Sequence, residues 1–360
     1  MPSQPPLPHL LTPYLSSLPQ SSLTVLSSVL GATGNWLVIR FLYAALATLP
    51  TSTVGHGFPA SEAGKNRKVV LVSFLRGWDF WRAEAKRLGL DLGRLAEKRQ
   101  FAFVDGLSEL FFSPTGPTQS SPTQPKYPGA GISSRAPLPV RSHPAPHNGP
   151  GRLRQPVAPV EGVDTSLSQP GKETGPAKRL HLSSNGAVAL DGLEMDITSV
   201  INQLKTSTAG EESGESEVLL VVDQPDLLLA ATGPSKGIGA TEVDELIMGL
   251  QQAASATIVT VSADSPLIHN ASAFAQQTAT PLETEHAAFA VQLAHRAEMV
   301  MQIRNLETGA ARDVSGVLRV SKGGAWGQRE SANGEATWEE KEILYFIQRD
   351  GGVSVFGRGE

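Results

Sequence analysis

Cysteine is absent from all 360 residues. Disulfides, thiolate nucleophiles and Cys-ligated zinc are therefore excluded. The composition fits a reducing compartment. Charge is sparse, at 18% Asp, Glu, Lys and Arg, while proline is plentiful at 26 residues. Part of the chain is therefore expected to stay outside any core, although 40% hydrophobic residues support a substantial one. The first twenty residues lack the basic segment of a signal peptide. Val25–Leu49 is the one candidate membrane span, and it carries Asn35, Arg40 and a Gly31-Ala32-Thr33-Gly34 break. Strand, turn and helix describe it better than a span, so no membrane partner is expected.

The net charge of −5 conceals an asymmetry. Residues 113–180 hold eight basic residues, three acids and a net +5, leaving −10 for the rest. A solvated linker and a nucleic-acid contact both fit that basic excess. The stretch 113–176 also holds 14 of the 26 prolines. Few of its residues are large and apolar, so burial cannot offset its chain entropy. Three parts are expected: a flexible tail over 1–19, one folded domain from 20–112 and 180–357, and a disordered insertion over 113–179.

The domain is organised around Val218-Leu219-Leu220-Val221-Val222-Asp223. Five apolar residues between turn signals read as a strand buried on both faces. Such strands lie at the centre of parallel α/β sheets. An Asp at the C-terminal end of one points into the crevice where open sheets bind ligands. In P-loop enzymes a carboxylate placed there helps to hold the metal.

Further strands are expected at Ser22–Leu30, Val69–Phe74, Phe101–Val104 and Ala256–Val261. Helices are expected at Leu37–Leu49, Trp78–Leu90 (capped by Asp79), Leu193–Leu204 and Leu227–Thr232 (capped by Asp226). Thr241–Leu250 should open on a capping box. Thr280-Pro281-Leu282-Glu283 opens another, with Thr at N-cap, Pro at N1 and Glu at N3. That helix runs to about Ala297. Four short strands follow near 298–304, 316–321, 342–348 and 353–356. Asp350-Gly351-Gly352 joins the last two as a hairpin. They extend an otherwise parallel sheet with antiparallel strands.

Gly31, Thr33 and Gly34 occupy the turn where a phosphate-binding loop would sit. GxxxxGK[ST] is required there, and this turn has no Lys and no following Ser or Thr. Gly64-Lys65 and Gly171-Lys172 have no strand before them. Gly31 and Gly34 are expected simply to make the turn, and Asp223 to close its strand. Arg76, Trp78, Arg82, Lys86 and Arg87 form a basic, aromatic-flanked segment. It reads either as a solvated helix face or as a surface for RNA or subunit contact. His286 and His295 lie half a turn apart around their helix and so cannot share a metal.

Several phrases carry a family resemblance. Ser73-Phe74-Leu75-Arg76-Gly77-Trp78-Asp79-Phe80-Trp81 and Phe103-Val104-Asp105-Gly106-Leu107-Ser108-Glu109-Leu110-Phe111 resemble signatures of the fungal Elongator complex protein 6 family. So do Asp223-Gln224-Pro225-Asp226-Leu227-Leu228, Ser262-Ala263-Asp264-Ser265-Pro266-Leu267, the stretch 280–287 and the stretch 311–319. Their order along 20–112 and 180–357 makes the likeness specific. The resemblance implies a RecA-like α/β fold without nucleotide-binding motifs. It implies a heterohexameric ring with Elongator subunits 4 and 5, tRNA binding through that ring, and support of wobble-uridine modification by the whole complex. It brings no catalytic residue, cofactor or metal. Cytoplasm and nucleus are the compartments expected of such a subunit. An active RecA-like ATPase is the alternative reading, with Asp223 on magnesium and a cation lent by a neighbour. A membrane or cytoskeletal adaptor is a third.

Overall fold

The computed structural model of the chain describes residues 7–16, 18–47, 67–112, 175–183, 186–206, 216–233, 236–269, 278–307, 309, 311–328 and 338–357. The chain divides into two units, Met1–Pro114 with Glu173–Glu360, and Thr115–Lys172. The second unit lies outside the described residues, as do the stretch 51–66 with Gly64-Lys65 and the pair Gly171-Lys172. The expected disordered insertion therefore falls outside them over 113–174. Every described strand and helix belongs to the first unit.

Its strands are β1 (Ser22–Ser28), β2 (Lys68–Ser73), β3 (Phe101–Asp105), β4 (Lys178–Arg179), β5 (Val218–Asp223), β6 (Ala256–Ser262), β7 (Met299–Arg304), β8 (Gly316–Lys322), β9 (Lys341–Ile347) and β10 (Val353–Gly357). They form one sheet in the order β10-β9-β8-β7-β1-β6-β5-β2-β3-β4. From β7 to β4 every neighbouring pair is parallel. The pairs from β7 to β10 are antiparallel. The expected mostly parallel α/β sheet with an antiparallel C-terminal extension is thus present.

Helices are α1 (Thr12–Leu15), α2 (Asn35–Leu46), α3 (Trp78–Arg87), α4 (Leu92–Glu97), α5 (Ala187–Thr206), α6 (Leu227–Thr232), α7 (Ala240–Ala253), α8 (Ser265–Ile268) and α9 (Pro281–Arg296). Alternation along the strands splits the core in two. Val69, Leu71, Phe101, Phe103, Leu219 and Val221 pack with α2, α3 and α4. Val70, Val72, Val104, Leu220 and Val222 pack with α5, α6, α7 and α9. Both faces are covered, which is why β2, β3 and β5 are buried throughout and read as unbroken apolar runs. β7 and β9 alternate instead between buried and partly exposed residues.

The chain first steps from β1 through β2 and β3 to β4, with helices on one face. It then crosses by α5 and steps back through β5 and β6 to β7, with helices on the other. The adjacent strands β2 and β5 therefore send their chains to opposite faces. In open α/β sheets, ligands bind beside the C-terminal ends of strands whose connections diverge in this way.

Four expectations are corrected. Residues 7–16 are not a flexible tail: a short 3₁₀ turn and α1 bury Leu11, Tyr14 and Leu15 against α2. The apolar spacing of that segment outweighs its prolines. Residues 178–179 belong to the sheet, pairing with Val104 and Asp105 of β3. Asp79 is not the cap of α3; Gly77 is, in extended conformation, and Asp79 sits in the first turn, where its charge suits the helix dipole. α5 starts at Ala187, six residues before the expected Leu193, because Ala189 and Leu190 are buried and their packing outweighs the weak helix former Gly192.

The candidate span over Val25–Leu49 divides between β1 and α2. Among the described residues no helix is long and apolar enough to cross a membrane.

Candidate functional site

The candidate site is built around Asp223, which is 1% exposed. Its carboxylate Oδ2 accepts a hydrogen bond from Ser73 Oγ at 2.7 Å, and Oδ1 accepts one from Thr260 Oγ1 at 2.9 Å. Arg76 Nη1 lies 3.2 Å from both oxygens. The sheet register makes this possible. Ser73 on β2 and Thr260 on β6 stand directly beside Asp223 on β5. Arg76 follows β2 by three residues, and its backbone N–H donates to Ser73 Oγ at 3.0 Å, which fixes the turn. Burial pushes the Asp223 carboxyl up, while the Arg76 charge and the two hydroxyls pull it back. The carboxylate is thus fully engaged by side chains of its own fold.

The backbone beside it is constrained. Gln224 adopts φ +56, uncommon for a residue with a side chain. It is held there by Thr260, whose hydroxyl accepts from the Gln224 N–H at 3.0 Å, and by Ser262, whose hydroxyl donates to Gln224 Oε1 at 2.8 Å. Asp226 does not cap α6 with its side chain. Its Oδ2 lies 3.1 Å from His286 Nε2 and accepts from the Ser262 N–H at 3.2 Å. The other ring nitrogen of His286 lies 3.2 Å from the Leu267 carbonyl. Both ring nitrogens thus have a polar partner. His286 and Asp226 are 2% and 4% exposed, so the pair welds α9 to the β5–α6 turn out of reach of solvent. His295 is exposed.

The turn after β1 is spent on its own structure. Leu30 N–H donates to Asp264 Oδ1 at 2.8 Å, and Ala32 N–H to the Val29 carbonyl at 2.9 Å. Gly31 takes φ +88, which a glycine adopts without strain. Gly34 has ordinary φ but close neighbours: an added Cβ would lie 3.1 Å from Leu26 Cδ2. Thr33 is exposed. The strand β6 lies between β1 and β5, so this turn and Asp223 flank β6 rather than touch in the sheet.

The basic segment divides. Arg76 turns inward to Asp223, with its guanidinium 5.3 Å from the Phe80 ring centre. Trp78 stacks on Phe101 at 6.3 Å and packs against Phe103 at 5.6 Å, extending the core. Trp81 is fully buried. Arg82, Lys86 and Arg87 remain exposed on α3, with Arg87 Nη1 donating to Glu84 at 2.7 Å. The candidate contact set is therefore two inward residues and three outward ones.

Sequence reasoning found Asp223 but not the hydroxyls and guanidinium that engage it, because strand register brings Thr260 beside it from 37 residues away. The Asp226–His286 pair was also hidden; the only local signal was a His on the buried stripe of α9 beside Phe289 and Leu293. Among the described residues no three His, Asp or Glu side chains gather as a metal site would require. No family model and no curated protein matches the sequence.

Proposed function

We propose that this chain is a non-catalytic, RecA-like assembly subunit, equivalent to Elongator protein 6. In this reading it joins Elongator subunits 4 and 5 in a heterohexameric ring that binds tRNA and supports wobble-uridine modification in cytoplasm and nucleus. The observation that carries the reading is the engagement of Asp223 by Arg76, Ser73 and Thr260. Both oxygens of this buried carboxylate are already taken by a partly buried guanidinium and two hydroxyls, so binding magnesium would require breaking those contacts. The turn after β1 supports the same reading, since it lacks a lysine and uses two N–H groups internally. The sheet order fits a fold descended from nucleotide-binding enzymes, with β6 between the turn-bearing strand and the Asp-bearing strand. Arg82, Lys86 and Arg87 on α3 are the residues assigned to tRNA or subunit contact.

Titrating the full chain with ATP and magnesium tests the nucleotide half of the proposal. The expected result is no saturable binding by wild type or by Asp223→Ala. Saturable binding by wild type that Asp223→Ala abolishes would instead establish the chain as an active nucleotide-binding protein.

A further inference from the structure

Arg40, on α2, is 3% exposed and has no carboxylate partner among the described residues. Of its five N–H donors, one from Nη1 reaches the Trp36 carbonyl at 2.7 Å, and its Nε makes no hydrogen bond among the described residues. The guanidinium also lies 5.5 Å from the Trp36 ring centre. Burial lowers its pKa to about 10, so it is charged at neutral pH. A buried charge without a counter-ion is costly unless something of opposite sign offsets it.

The surroundings indicate what that would be. A cavity of about 150 Å³ opens between α2, α3 and the β9–β10 turn. Its charged lining comprises Arg40, Arg87, Arg349 and one acid, Glu84. Glu84 accepts from Arg87 Nη1 at 2.7 Å, which uses its charge within the lining. Arg349 is exposed and makes no ion pair among the described residues. Asp350, next along the turn, accepts from the Gly352 N–H at 2.9 Å. Gly351, at φ +89, lets the turn approach: its absent Cβ would lie 3.3 Å from Arg87 Cδ. The neutral polar side chains Thr33, Asn35 and Gln348 also line it, beside the apolar Ile39 and Leu88. At about 150 Å³ the cavity is smaller than the roughly 300 Å³ of a drug-sized ligand site.

We infer that this cavity is an oxyanion site for a single phosphate group, held by Arg40 and Arg349 with Arg87 at its rim. Guanidinium is the side chain best suited to a tetrahedral oxyanion, since its planar fork donates two parallel hydrogen bonds. The phosphate is either a free ion or monoester, or one backbone phosphate of an RNA strand. The site shares Arg87 with the surface assigned to tRNA or subunit contact, but neither Arg76 nor Asp223 contributes to it, so it is tested separately from the nucleotide reading.

The test is thermal unfolding of the full chain in increasing inorganic phosphate, against chloride at matched ionic strength, for wild type, Arg349→Ala and Arg40→Met. Wild type should gain stability as phosphate saturates. Arg349→Ala removes an exposed side chain that the fold does not need, and should weaken the apparent affinity roughly tenfold, the value of one charge-assisted hydrogen bond. Arg40→Met fills the buried space without charge and should abolish the response. A short single-stranded RNA distinguishes the sources. If Arg349→Ala also weakens RNA binding and flattens its salt dependence, the phosphate is a backbone one; if RNA binding is unchanged, it is a small anion. No phosphate-specific stabilisation of wild type, or an equal one in Arg349→Ala, would overturn the assignment.

Discussion

Replacing Arg76 with alanine is the most informative single perturbation of the candidate site. The Arg76 side chain is 16% exposed and that of Asp223 is 2%, so little solvent remains to screen the charge left behind. In Arg76→Ala, Asp223 keeps the Ser73 and Thr260 hydroxyls but loses its counter-ion. Removing one partner of a buried pair costs about 3–5 kcal/mol. For a domain of this size that lowers the melting temperature by about 6–20 °C, at roughly 2–4 °C per kcal/mol. The double variant Arg76→Met with Asp223→Asn should recover most of the loss. The new amide can still accept from one hydroxyl and donate to the other, while the methionine fills the volume of the arginine stem. Urea unfolding of wild type, Arg76→Met, Asp223→Asn and the double variant gives the coupling energy directly. A cost below about 1 kcal/mol for Arg76→Ala, the value of an exposed ion pair, would refute the idea that Asp223 is sealed by its partners.

The packing sets three further outcomes. His286→Ala leaves Asp226 with only the Ser262 N–H and should cost about 3 kcal/mol, measured by urea unfolding; a change within about 0.5 kcal/mol would contradict a sealed pair. Gly106→Ala would place a Cβ 2.7 Å from Phe74 Cδ1, so a loss of about 1–3 kcal/mol in the same measurement is expected. Tyr345 is pushed up to about 12 by burial, so its contribution is intact below its unfolded pKa of about 10 and is lost as pH rises through about 12. Absorbance titration should show a late-ionising tyrosine that disappears in Tyr345→Phe; ionisation of every tyrosine near pH 10 would contradict this.

Much of the sheet was legible because parallel strands buried on both faces leave continuous apolar runs. β2, β3 and β5 announce themselves that way, β1 and β6 less cleanly because Ser and Thr interrupt them, and β5 also marks its C-terminal end with Asp223. The cap Thr280-Pro281-Leu282-Glu283 was legible because its bonds are local: Thr280 Oγ1 accepts from the Glu283 N–H, and Glu283 accepts from the Thr280 N–H. Contacts between distant segments were not. Nothing in the sequence near Asp226 indicates His286, 60 residues away, as its partner. Arg40 reads as a charge that interrupts an apolar run, yet the fold buries it. Trp78 and Arg76, which resemble surface contact residues in sequence, are drawn inward by Phe101, Phe103 and Asp223.

Whether the chain is the proposed non-catalytic subunit of a mixed RecA-like ring is decided by the particle it forms in its natural setting. The chain should be purified under native conditions and the intact particle weighed. A ring-sized particle holding this chain with two other chains of related fold is expected. A monomer or homo-oligomer that binds ATP tightly, and loses that binding in Asp223→Ala, would contradict the proposal.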